Sequence, residues 1–173
     1  MDPAPRSFNH INPDHYLNRV GNTLPRPEQG KRAWMLAYQE LDKKLRQGQG
    51  QLKLCLVCGL QGSGKSSWIK QYGHGLGDRI IFLDAALPSR QARSKALTIA
   101  SDNDSRAIAV WVHAPLKLAL ARNALRPPEQ WVPETIIQHT HELWQPPQLD
   151  EGFQQVIEID AAHPGMPPRR TWE

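Results

Sequence analysis

Gly59-Leu60-Gln61-Gly62-Ser63-Gly64-Lys65-Ser66 is the stretch around which the rest of the chain organises itself. It fits the pattern G-x-x-x-x-G-K-[ST], in which a glycine-rich turn aims its backbone N–H groups at phosphate oxygens. Glycine is required because the turn needs dihedrals and a closeness of approach that a Cβ forbids. The flanks agree with this. Residues 51–59 put Leu52, Leu54, Leu56 and Cys58 on one side and Cys55 and Val57 on the other. A strand apolar on both faces belongs inside a parallel sheet. Residues 64–72 read as a short helix with Trp68, Ile69 and Tyr72 turned inward, and its positive N-terminal end adds to the amides of the turn. Lys65 reaches outer phosphates as a charged donor, a contact of about 1.5–3 kcal/mol. Ser66 offers a hydroxyl to Mg²⁺. Gly59, Gln61, Gly62, Ser63, Gly64, Lys65, Ser66 and Ser67 are the candidate contacts for a nucleoside triphosphate.

Working outward, residues 79–84 form a second buried strand ending in Asp84, and residues 107–113 and 155–159 form two more. Helices fall between them at 89–100, with Ser89 as N-cap, and at 115–126 and 133–144, where Pro127, Pro128, Pro146 and Pro147 mark the stops. Alternating strands and helices predict an α/β domain with a small, mainly parallel sheet of about four strands. In front of it, residues 1–30 lack periodicity and read as an extended arm. Residues 31–46 follow as an amphipathic helix, because Trp34, Tyr38, Leu41 and Leu45 share one stripe. The expected organisation is arm and helix over 1–50, the main domain over 51–160, and a frayed tail over 161–173.

Composition sets broad bounds. The 173 residues suit one domain. Lys plus Arg 21 against Asp plus Glu 17 gives +4, which admits an anionic ligand without demanding one. The charge is mixed and lacks a basic run, which disfavours a long nucleic-acid groove. The absence of a long apolar run or signal-like start leads to the expectation of a cytoplasmic protein without a membrane segment. The 2 cysteines cannot make a disulfide scaffold. Cys55 and Cys58 are spaced CxxC but fall on opposite faces of a strand, which argues against a zinc or redox pair.

Two further features point to chemistry. Asp84 emerges at the carboxyl edge of the sheet, where open α/β sheets bind ligands. It is placed there to hold Mg²⁺ through water, or to accept a proton from a hydroxyl nucleophile. The plain alternative is an aspartate that caps local backbone. Arg122 and Arg126 lie four apart beside the Pro-Pro break, as a lid needs if it closes guanidiniums over a transferring phosphoryl group. The plain alternative is a solvated basic face. Of the six tryptophans, Trp34, Trp68 and Trp111 read as core, and Trp131 as the candidate for stacking on a base.

With these residues in place, the chain resembles P-loop kinases of the polynucleotide-kinase and zeta-toxin-like type, also labelled AAA family ATPases. GLQGSGKSSW at 59–68, FLDAALPSRQAR at 82–93 and RNALRPPEQWVPETII at 122–137, continued by WQPPQLDEGFQQV at 144–156, carry the likeness. The resemblance implies a P-loop NTPase-like three-layer sandwich, with ATP and Mg²⁺ as cofactors. It implies Lys65 and Ser66 on the phosphates and metal, Asp84 as the catalytic or metal-linked carboxylate, Arg122 or Arg126 as the lid arginine, and Arg93 near the acceptor. Typical members place a further strand bearing Ser-Asp after the P-loop helix to hold the acceptor hydroxyl. Here only residues 71–78 separate that helix from the Asp84 strand, so the segment is absent from its usual place. The arm and first helix are the candidates to supply a replacement, though no single residue there establishes it, and Asn12-Pro13-Asp14 resembles a short zeta-toxin-like string. Two functions follow as expectations. One is a small kinase passing the ATP γ-phosphoryl to a hydroxyl acceptor such as a nucleic-acid end, a nucleotide or a small metabolite. The other is a nucleotide-binding regulatory or protein-interaction module with little or no transfer.

Overall fold

The computed structural model describes residues 9–17 and 24–172. Its elements run β1 (His10–Ile11), α1 (Pro27–Gln47), β2 (Lys53–Cys58), α2 (Lys65–Tyr72), β3 (Ile80–Asp84), α3 (Arg90–Asp102), β4 (Ala107–His113), α4 (Leu116–Ala124), α5 (Glu134–Glu142), β5 (Gln155–Asp160) and β6 (Arg169–Trp172), with short 3-10 turns between some of them. The protein is α/β, with a sheet in the order β1-β3-β2-β4-β5-β6. All neighbours are parallel except β6, which runs antiparallel to β5.

β2 sits at the centre because it is apolar on both sides. Leu54, Leu56 and Cys58 join Leu41 and Leu45 of α1 and Ala96 and Ala100 of α3 in one core. Cys55 and Val57 face the other way, onto Ile69 of α2 and the outer residues of β3 and β4. The two cysteines therefore occupy opposite faces, buried and free, as their spacing requires. Helices cover both faces, an arrangement compatible with a three-layer sandwich. The chain leaves β2 for β3 on one side and later reaches β4 on the other. The sheet thus has its topological switch at the carboxyl end of β2, where a crevice opens between diverging loops.

Three expectations are corrected. Among the described residues the sheet has six strands, not about four. The arm contributes one of the extra two: β1 adds to the edge of β3 with Ile11 buried, and Phe82 N donates to Asn9 O at 2.7 Å. The tail contributes the other: after a turn, Arg169–Trp172 pairs with Gln155–Glu158 instead of fraying. Every residue of β6 is exposed, so no alternation of apolar residues was there to read. Two helix limits also move. α1 starts at Pro27, a residue suited to a first helical turn, and Gln29 Oε1 accepts the Arg26 N–H at 2.8 Å. α4 ends at Ala124, so Arg126 lies beyond it, in the loop that follows. The Ser89 cap holds, with its Oγ accepting from Ala92 N at 3.1 Å. Among the described residues, no helix is long and apolar enough to cross a membrane.

Candidate functional site

The glycine-rich turn lies at the carboxyl end of β2 and opens directly into α2. Two of its glycines are obligatory on geometry. Gly62 has φ +85°, and a Cβ there would stand 2.4 Å from the Ala119 carbonyl oxygen. Gly64, at φ +100°, is the left-handed residue that precedes the first turn of α2. The turn is tied to its surroundings by Gly59 N donating to Ala86 O at 3.2 Å and Ser63 N to Leu60 O at 3.0 Å.

Lys65 folds back over the turn, its Nζ donating to Gly59 O and Leu60 O at 3.0 Å each. Burial holds its pKa below the ordinary lysine value; the Asp84 carboxylate opposes this and the Arg126 charge adds to it. Ser66 Oγ donates to Asp84 Oδ2 at 2.5 Å. Asp84 is 1% exposed, and that same oxygen accepts from His10 Nε2 at 2.9 Å and from Asn12 Nδ2 at 3.5 Å. Burial alone would raise its pKa. The His10 bond, the Lys65 charge and the Ser66 hydroxyl outweigh burial and hold the carboxyl below its ordinary value. A carboxylate is acceptor-only, so the proton of the His10 contact sits on Nε2. Asp84 therefore binds side chains from the arm and from α2.

These groups line a cleft of about 500 Å³, together with Asn12, Asp14 and Trp34. Arg126 and Lys70 also reach it. Within the turn, Gln61 Oε1 and Ser63 Oγ are buried without a hydrogen-bond partner. A second cavity of about 600 Å³ shares Ser63, Gly64 and Ser67 with the turn and is walled by Trp68, Tyr72 and Met166 of the tail. A larger groove of about 920 Å³ runs past Arg90 and Ser94 to the amino ends of β4 and β5, at the opposite edge of the sheet from the turn.

Apart from Gly59, Gly62 and Ser63, which belong to the turn and do not line the cleft, the predicted residues separate into three groups. Gln61, Gly64, Lys65, Ser66, Ser67, Asp84 and Arg126 come together around the cleft. Arg122 does not join Arg126. Its guanidinium donates to Ser63 O at 3.0 Å and Ala161 O at 3.2 Å, so it braces the turn against the tail and lines the second cavity. The segment between α4 and α5 is pinned at its base by Asn123, whose amide exchanges two hydrogen bonds with Val132. Arg93 is the clear misplacement. It lies fully buried, in a two-bond ion pair with Glu151 at 2.8 Å per bond, and donates to Leu87 O at 3.0 Å. It serves the core, not an acceptor. Among the tryptophans, Trp34 lines the cleft while Trp131 does not.

His10 and Trp34 were missed as site residues, and Asn12 and Asp14 were noticed only as a short string. His10 carries no sequence signal at all; it reaches the site because β1 pairs with β3. No protein-family model matches the sequence, and no curated protein matches it.

Proposed function

We propose that this chain is a P-loop NTPase-like phosphotransferase that binds a nucleoside triphosphate with Mg²⁺ and passes the γ-phosphoryl to a hydroxyl acceptor. The observation that carries this reading is the contact between Ser66 and the buried Asp84 beside a turn held by Gly62 and Gly64. Amides at a helix N-terminus, a lysine and two hard oxygen donors are the set that a metal-bound polyphosphate needs. Ser66 Oγ and the Asp84 carboxylate fit Mg²⁺ because both are oxygen donors, and Mg²⁺ would offset phosphate charge when bound. The buried, unpartnered Ser63 Oγ and Gln61 Oε1 lie in the same turn. Lys65 exchanges its two carbonyl acceptors for outer phosphate oxygens. Arg126, which also lines the cleft, meets charge on the phosphoryl group in transit. The cavity beside Trp68 and Tyr72, continuous with the turn, has room for the base.

A second reading is a nucleotide-dependent regulatory module. The two-residue pairing of β1 favours it, because so short a strand is easily released and re-docked. Calorimetry with ATP and Mg²⁺, followed by transfer from γ-labelled ATP to a panel of hydroxyl acceptors, separates the two. Heat plus one labelled acceptor is expected. Heat with no labelled acceptor overturns the transferase in favour of the module, and no heat with any nucleoside triphosphate overturns both.

A further inference from the structure

The arm does more than cover a sheet edge. β1 joins β3 in parallel, so its carboxyl end points to the same edge as the phosphate-binding turn. Asn9 O accepts from Phe82 N at 2.7 Å, Asn9 Oδ1 accepts from Lys44 Nζ at 3.0 Å, and Ile11 and Pro13 are buried. The next residues therefore arrive at fixed positions. Asn12 works in two directions: its Oδ1 accepts from Asp14 N at 2.9 Å, while its Nδ2 approaches Asp84 Oδ2 at 3.5 Å. One side chain thereby sets the Asp14 turn relative to the carboxylate 72 residues away. His10 donates to the same oxygen and packs edge-on against His15, with ring centroids 5.6 Å apart. Asp14 lines the cleft with Lys65, and its charge is felt at the Lys65 ammonium.

We propose that the arm is a working wall of the site, with His10 and Asn12 as positioning residues for Asp84 and Asp14 as the group that receives the acceptor's proton. This rests on the phosphotransferase reading above. In the step, the acceptor oxygen forms a bond to the γ-phosphorus and the bond from that phosphorus to the β,γ-bridging oxygen breaks. The electron pair leaves on the nucleoside diphosphate, and the hydroxyl proton passes to the Asp14 carboxylate. Asp14 and Asp84 are the carboxylates among the described residues that line the cleft, and Trp34 of α1 lines it as well, as an aromatic surface for the acceptor.

The experiment uses the full-length chain with ATP, Mg²⁺ and the acceptor identified by γ-label transfer. D14N is expected to keep ATP affinity by calorimetry within about threefold while kcat falls at least about 100-fold. H10L is expected to raise the Mg²⁺ concentration needed for half-maximal nucleotide binding at least about tenfold, and H10Q, which keeps an N–H donor, to restore it; a charge-assisted hydrogen bond has this order of effect. Thermal melts of each variant establish folding. If D14N transfers at the wild-type rate, or loses ATP binding as steeply as transfer, the acceptor wall is refuted while the nucleotide reading stands. If H10L and H10Q show the same Mg²⁺ dependence as the wild type, the positioning role is refuted. A wild-type chain that binds ATP but labels no acceptor overturns the wall together with the transferase and leaves nucleotide binding standing, and one that takes up no nucleotide overturns every one of these readings.

Discussion

Arg93 shows how position in the fold changes the meaning of a residue, and its replacement is the sharpest energetic test of the structure. Its side chain is 0% exposed and that of Glu151 is 3% exposed. Two 2.8 Å bonds join them, and a third goes from Arg93 to Leu87 O at 3.0 Å. Leu87 is a buried non-glycine residue at φ +47°, in the turn that follows Asp84. A left-handed leucine costs roughly 1–2 kcal/mol, so the bond from Arg93 helps hold a strained turn beside the site. Arg93→Met leaves the Glu151 carboxylate buried without its partner, a loss of about 3–5 kcal/mol. Glu151→Leu strands the guanidinium in the same way. The double variant R93M/E151L removes both charges and is expected to be less destabilised than either single variant. Urea unfolding of the four proteins measures this coupling. Single variants costing under about 1 kcal/mol, or losses that simply add, would refute the buried pair. Folded R93M should bind ATP with unchanged affinity, because the guanidinium points into the core. A specific loss of acceptor turnover in folded R93M would return Arg93 to the acceptor side.

Other expected outcomes follow from single groups. Lys65→Met should weaken ATP binding about 10–150-fold by calorimetry, the equivalent of 1.5–3 kcal/mol, without greatly changing the melting temperature; equal affinity would remove Lys65 from the phosphates. Gly62→Ala brings a Cβ within 2.4 Å of Ala119 O at φ +85° and should lower Tm by roughly 2–8 °C with loss of nucleotide binding, read by thermal melt and calorimetry. Asp84 has a lowered pKa, so its contribution to stability is present above the unfolded value near 3.9 and is lost as pH falls through the lower folded value. Urea unfolding at pH 6, 4 and 2.5 should show D84N with a smaller acid dependence than the wild type, and parallel curves would count against the pairing. Burial pushes the Cys58 thiol up to about 12 and Cys55 higher still. Both should resist thiol reagents at pH 8 until the chain is unfolded, and rapid labelling of the native protein would contradict their place in the sheet.

The central strand, the glycine turn, α2 and the strand that ends in Asp84 were legible in the sequence, because each is dictated locally. Apolar residues on both faces specify a buried parallel strand, and positive φ at Gly62 and Gly64 specifies glycine. Their meeting at one sheet edge follows from the βαβ connection. The partner of β3's free edge was not legible. β1 is two residues long, too short for any periodicity, and only the finished sheet has an edge for it to join. That pairing decides that His10, Asn12 and Asp14 stand beside Lys65 and Asp84. Arg93 was misplaced for a related reason: a charged residue on a helix is read as exposed unless its buried counterion is known, and Glu151 lies 58 residues further on. Arg122 and Arg126 parted because α4 ends between them, where Leu125 turns the chain out of the helix. Local chain chemistry thus determined the strand, the glycine-rich turn and the helix that follows it. Long-range strand pairing and burial decided which polar groups face the cleft, because hydrogen-bond partners far apart along the chain are brought together only when the layers pack.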